Sequence, residues 1–194
     1  MKQQIPALLA EKASLRRRIA QSLRTMSAAL RCEKSRVIAR KLSQDKRFQK
    51  AEHILIYLPL KSEVDLRALI QQQTQLGKRF YVTVVSGRSQ VLRITPLYRN
   101  GKIRRTRINR LGVSEPVINR RERYVSPESI DMAIVPGLVF TRSGRRLGRG
   151  KGYFDRLLAK MKNARFIGVC FRKQLLKRIP VQSHDIKMHQ VISG

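Results

Sequence analysis

The residues best suited to chemistry form one run: Gly144-Arg145-Arg146-Leu147-Gly148-Arg149-Gly150-Lys151-Gly152-Tyr153-Phe154-Asp155-Arg156. Glycines let a backbone approach a ligand closely and adopt positive φ. Four cations, Arg145, Arg146, Arg149 and Lys151, stand between the glycines, so the ligand is expected to be an anion. An apolar, strand-like stretch over 130–140 leads into the run. A helix is expected to open near Tyr153, carrying Leu157 and Leu158. Free amides and the positive end of a helix dipole would then join the side chains in a phosphate seat. The spacing is not G-x-G-x-x-G. Nor is it a P-loop, because Gly152 follows Lys151 where Ser or Thr would stand. The alternative is an ordinary basic, glycine-rich turn.

Strands and helices must alternate to present such a loop. Leu8, Leu9, Lys12, Leu15, Arg16, Ile19 and Leu23 share one stripe of a first helix. Ser27 is a fitting N-cap for a second, whose apolar face includes Leu30, Val37, Ile38 and Leu42. Residues 54–58 form a continuous apolar run of strand length. A helix is expected over 65–76, ended by Gly77. Further strands are expected over 80–85, 91–98, 132–135 and 166–171, while 99–129 reads as basic loops and short strands. Apolar strands alternating with helices imply an α/β fold: a mainly parallel sheet with helices on both faces, a Rossmann-like three-layer architecture. The expectation is one domain over 1–194, with N-terminal helices over about 5–43 packed on a core over about 50–194. Ligands of such sheets bind at the carboxyl ends of the strands. Both the glycine-rich run and the segment Pro59-Leu60-Lys61-Ser62-Glu63 follow such ends.

Hydrophobic residues make up 42% of the 194, enough for a core, which excludes a disordered chain. The 43 Lys and Arg against 12 Asp and Glu give a formal charge of +31, which implies affinity for polyanions. That charge runs along the whole chain instead of collecting in one tail. No stretch is apolar enough for a membrane helix, and the N-terminus is a poor signal peptide, so a cytoplasmic location is expected. Cys32 and Cys170 make neither a disulfide framework nor a metal set, and Cys170 reads as a buried thiol.

Four separated features combine. Lys12 and Arg16 are four apart and point the same way from the first helix. Leu58-Pro59-Leu60-Lys61-Ser62-Glu63-Val64-Asp65 places Glu63 just past a strand. The glycine-rich run follows, and the chain closes with 166–171, Ile179-Pro180 and His184-Asp185. In this order they resemble the 5-formyltetrahydrofolate cyclo-ligase family, also called methenyltetrahydrofolate synthetases, from about Lys12 to Val191. The stretch from Arg146 to Asp155 is the most specific part.

The resemblance implies an enzyme: ATP- and Mg²⁺-dependent closure of 5-formyltetrahydrofolate to 5,10-methenyltetrahydrofolate through a phosphorylated formyl group, with ADP and phosphate released. It assigns ATP binding to Lys12, Arg16, Arg145, Gly148, Arg149, Gly150, Lys151, Gly152 and Tyr153. Arg149 and Lys151 are the catalytic cations. Leu58, Glu63 and Tyr153 are assigned to the folate, polyglutamylated or not, and Asp155 and Asp185 to Mg²⁺. A monomer is expected. Departures from the family pattern are Leu66, Thr83, Leu111, Thr141 and His189.

Two other readings stand beside this one. A basic nucleic-acid-binding protein would use Arg104-Arg105-x-Arg107 and Arg120-Arg121-x-Arg123. Against it stand 6% aromatic residues and the absence of any RNA-binding signature, so specific nucleic-acid recognition is not expected. The other alternative is a folate-binding paralogue without turnover.

Overall fold

The computed structural model describes residues 4–86, 91–99, 101–109, 112–119 and 124–194. The chain opens with helices α1 (Gln4–Arg24), α2 (Ala28–Ser43) and α3 (Lys46–Lys50). Ser27 caps α2 by accepting from the Leu30 amide, and Asp45 caps α3 from the amides of Arg47 and Phe48. Strand β1 (His53–Leu55), helix α4 (Arg67–Gln75) and strands β2 (Arg79–Ser86) and β3 (Val91–Pro96) follow. Two small hairpins come next: β4 (Tyr98–Arg99) with β5 (Lys102–Ile103), then β6 (Thr106–Ile108) with β7 (Ser114–Pro116). Strand β8 (Met132–Val135), a hairpin of β9 (Val139–Phe140) and β10 (Arg146–Leu147), and helix α5 (Tyr153–Leu158) precede β11 (Arg165–Cys170) and β12 (Gln190–Ser193).

Six strands build the main sheet in the order β12-β11-β8-β1-β2-β3, all parallel except the β2–β3 edge pair. Each central strand is apolar on both sides, as a sheet covered on both faces requires. The period-two alternation sorts the side chains into two cores. Ile54, Phe80, Val82, Met132, Ile134, Ile167 and Val169 pack with Leu15, Ile19 and Leu23 of α1, Ile38 and Leu42 of α2, and Leu69 and Ile70 of α4. Leu55, Tyr81, Ala133, Val135, Phe166 and Cys170 pack on the opposite face with Leu157 and Leu158 of α5. Helices therefore cover both faces of a mainly parallel sheet, as the periodicity implied.

Three expectations need correction. The run 54–58 pairs as a strand only to Leu55, although the Ile56 amide adds one more bond to the Tyr81 carbonyl. The stretch 91–98 ends as a strand at Pro96 and runs antiparallel to β2. The apolar stretch 130–140 is not one strand. It breaks at Pro136-Gly137, and its end turns into the β9–β10 hairpin, so Arg145 and Arg146 belong to that hairpin and only 148–152 is free loop. Leu111, Arg120, Arg121 and Arg123 lie outside the described residues.

Candidate active site

The first helix delivers two cations to one place. Lys12 sits in the apolar stripe of α1 and is only 2% exposed. Its ammonium donates to Asp185 Oδ2 at 2.7 Å and to Gln182 Oε1 at 2.9 Å. One turn on, Arg16 Nε donates to the carbonyl of Gly148 at 2.9 Å. The i,i+4 spacing thus aims both side chains at the glycine-rich loop and its neighbour. Lys12 does not lie on a solvated face.

The loop itself is glycine by necessity at defined points. Gly150 and Gly152 have φ of 99° and 62°, and a Cβ on Gly150 would stand 3.2 Å from the Arg16 guanidinium carbon. Gly152 also forms the N-cap of α5. Lys151 is exposed at the rim, as is Arg145 on the hairpin. Tyr153 is half-buried, with the Arg156 guanidinium 5.1 Å from its ring centre.

Behind the loop lies a cation that the sequence counted into the phosphate seat and that the structure turns inward instead. Arg146 is 6% exposed, and its Nη2 donates to Asp155 Oδ1 at 2.6 Å. The same oxygen accepts from the Ile186 amide at 3.2 Å. Both Arg146 and Leu147 of the two-residue strand are buried, so no alternation in the sequence marks which faces inward. Gln182, between Ile179-Pro180 and His184-Asp185, has no part in the pattern those residues form, and only the fold brings its side chain to Lys12.

The segment carrying Asp185 is stitched to this hairpin. The Met188 amide donates to the Gly144 carbonyl at 2.8 Å. The approach is so close that a Cβ on Gly144 would fall 2.1 Å from the Met188 oxygen. The Gln182 amide donates to Asp185 Oδ2 at 2.7 Å. Burial pushes the Asp185 carboxyl up, but the bond from Lys12, the Gln182 amide and the two nearby positive groups outweigh it and hold the group below the usual carboxylate range. Asp155 and Asp185 are therefore joined through the backbone at 185–186, each backed by its own cation.

Glu63 lies across the loop. Its Oε2 accepts from the Leu60 amide at 3.0 Å, and its Oε1 accepts from Arg149 Nη2 at 3.1 Å. The Tyr57 hydroxyl, buried under this turn, donates to the Val64 carbonyl at 2.7 Å. Burial first, and then Glu63, push that phenol well above its usual value. Leu58 is buried at the end of the same stretch. A groove of about 1090 Å³ opens beside Glu63 between α2, α4 and the β4–β5 hairpin.

The donor set bears on a metal. Among the described residues no group of three or more His, Cys, Asp or Glu could cage an ion. Two hard carboxylates suit Mg²⁺, which keeps waters and commonly takes substrate phosphates as its remaining ligands. The departures in this region have local roles. Thr141 is buried, and its Oγ1 accepts from the Arg145 amide at 3.0 Å. His189 Nδ1 accepts from the Phe166 amide at 2.8 Å. Leu66 is buried at the start of α4, and Thr83 pairs with Ile94 in the sheet.

The sequence profile of the 5-formyltetrahydrofolate cyclo-ligase family matches residues 9–194. The 5-formyltetrahydrofolate cyclo-ligase of Mus musculus is 29% identical over 93% of this chain and 92% of its own. The Escherichia coli K12 protein of the same name is 30% identical over 74% of this chain and 78% of its own. The NMR structure of Aquifex aeolicus 5,10-methenyltetrahydrofolate synthetase is similar with a TM-score of 0.80 and 28% identity, covering 94% of this chain and 89% of that one.

Proposed function

This chain belongs to the 5-formyltetrahydrofolate cyclo-ligase family, and we propose from that premise that it closes 5-formyltetrahydrofolate to 5,10-methenyltetrahydrofolate using ATP and Mg²⁺. The formyl oxygen of an amide is a poor leaving group. In the proposed reaction that oxygen attacks the γ-phosphorus, ADP departs, and an N5-iminium phosphate forms. N10 then bonds to the formyl carbon and loses its proton, and phosphate leaves with the oxygen. Little covalent work falls to the protein, whose task is to align two substrates and balance phosphoryl charge.

One observation carries this reading most. Arg16 from α1 meets the glycine-rich stretch Gly148–Gly152, and Lys12, one turn earlier on the same helix, is bonded to Asp185. The loop amides, Arg145, Arg149 and Lys151 would receive the phosphates, with Lys12 and Arg16 approaching from the helix. Arg149 and Lys151 would neutralise charge on the transferring group. Tyr153 would pack against a substrate ring. Asp155 and Asp185 would hold Mg²⁺, which supplies charge neutralisation on the phosphates when bound. Arg146 and Lys12 hold these two carboxylates in position.

Glu63 and Leu58 would receive the pterin, and the adjacent groove gives the rest of the folate, with or without a polyglutamate tail, a place to lie. A carboxylate suits the ring N–H and amino donors. Purified protein should generate the methenyl-folate absorbance only when ATP and Mg²⁺ are both present, with one ADP per turnover. Folate binding without ADP release would instead make the chain a binding paralogue.

A further inference from the structure

One ion pair spans the two halves of the proposed site. Glu63, assigned to the pterin, lines the large groove. Arg149, assigned to the phosphates, stands in the glycine-rich loop between Gly148 and Gly150. The two lie 86 residues apart in the chain and meet at 3.1 Å, Arg149 Nη2 donating to Glu63 Oε1. Each group is therefore engaged by the other in the ligand-free chain.

The partners are held unequally. The Glu63 turn is pinned at several points. The Glu63 amide donates to the Leu60 carbonyl at 2.9 Å, and the Leu60 amide donates back to Glu63 Oε2 at 3.0 Å. The buried Tyr57 hydroxyl holds the Val64 carbonyl, and the Asp65 amide donates to Ser35 Oγ at 3.0 Å. On the other side, Arg16 anchors the loop backbone at the Gly148 carbonyl, but the Arg149 side chain is 50% exposed against 15% for Glu63. The guanidinium is the member that can swing away while both backbones stay in place. A half-exposed pair is weak, so a ligand can displace it. A ring presenting an N–H beside an amino group engages both oxygens of a carboxylate, and Oε1 is the one that Arg149 holds.

We propose that Arg149 couples the two substrates: folate docking on Glu63 releases it to the nucleotide phosphates, and nucleotide binding draws it off Glu63, so that each substrate tightens the other. This rests on the assignment of Glu63 to folate and of the loop to ATP. The first substrate to bind breaks the pair, and the second finds its own group already free. Linkage is reciprocal, so the factor is the same in both directions. The strength of an exposed pair sets that factor at roughly two- to fivefold.

The test is calorimetric titration of the full chain with a non-hydrolysable ATP analogue and Mg²⁺, with and without saturating 5-formyltetrahydrofolate, and the reverse titration. In the parent each ligand should lower the Kd of the other by roughly two- to fivefold. Arg149→Gln cannot form the ion pair. It should bind the folate alone more tightly than the parent by about that same factor, bind the analogue more weakly, and lose the coupling. The sign is diagnostic, because the folate is an anion and losing a cation through general charge weakens its binding. Lys61→Gln, which removes an exposed cation from the same groove, should not tighten the folate. Glu63→Gln gives a second route: with Arg149 no longer held by a charge, the analogue alone should bind more tightly. An Arg149→Gln chain that keeps the parent's coupling, or equal folate tightening in Arg149→Gln and Lys61→Gln, would overturn the role of Arg149. So would two ligands that bind the parent independently. A parent chain that fails to bind one of the ligands would instead remove the proposed function, and the coupling with it.

Discussion

Lys12 and Asp185 stand 173 residues apart in the chain and meet at 2.7 Å, the ammonium almost wholly buried. The contact ties the first helix to the last loop and sets the position of one proposed metal carboxylate. A buried ion pair is weak evidence for stability, but removing one partner strands the other. Lys12→Met should therefore lower unfolding free energy by about 3 kcal/mol, at the low end for such pairs because Asp185 retains some exposure. Urea unfolding checks this, and an unchanged midpoint would show that the pair is not formed in solution.

The same pair has an acid signature. Asp185 titrates below its ordinary value of 3.8 in the folded chain. Its contribution is thus fully present above about pH 4 and is lost as pH falls through the lowered folded value. Lys12→Met removes the bond and charge that hold it down. Stability measured from pH 7 to pH 2 should fall less steeply below pH 4 in the variant than in the parent. Parallel profiles would contradict the assignment.

Arg146 holds Asp155 from behind, so changing it should act through Asp155. Arg146→Lys keeps the charge but loses the fork that spans Asp155 and the Pro136 carbonyl. Turnover is expected to fall at least tenfold, with a raised Mg²⁺ requirement and a smaller change in folate KM. Lys151→Ala, by contrast, removes an exposed cation and should reduce turnover strongly at constant Tm.

Two glycines should behave differently. Gly144→Ala drives a Cβ into the Met188 carbonyl at positive φ, and both clash and strain demand backbone movement. Expression of folded protein should largely fail. Gly150→Ala meets only the flexible end of Arg16, so strain of about 1–2 kcal/mol is expected together with weaker ATP binding.

The thiols give an independent check on packing. Burial pushes Cys170 up to about 12, whereas Cys32 is exposed. One thiol per chain should react with Ellman's reagent at pH 8 in the native state and two after denaturation. Fast reaction of both natively would deny the core described for β11.

Much of this was legible in the sequence because period and punctuation are local. The stripe through Leu15, Ile19 and Leu23 announced α1, Ser27 its successor, and Gly148–Gly152 the loop. The inward face of Arg146 was not legible, since a two-residue strand carries no period. Lys12 could be aimed but not buried from sequence, because its partner at Asp185 is supplied by the fold. The antiparallel edge at β3 was hidden for the same reason: pairing direction is set by connections, not by the apolar pattern of one strand. Clear glycine signals, in turn, overstated the free loop, which begins only after β10.

The most direct test is a crystal structure with a non-hydrolysable ATP analogue and Mg²⁺. The expected result is a triphosphate against the amides of Gly148–Gly152 within reach of Arg16 and Lys151. An analogue bound elsewhere, with those amides turned away, would contradict the assignment of this loop.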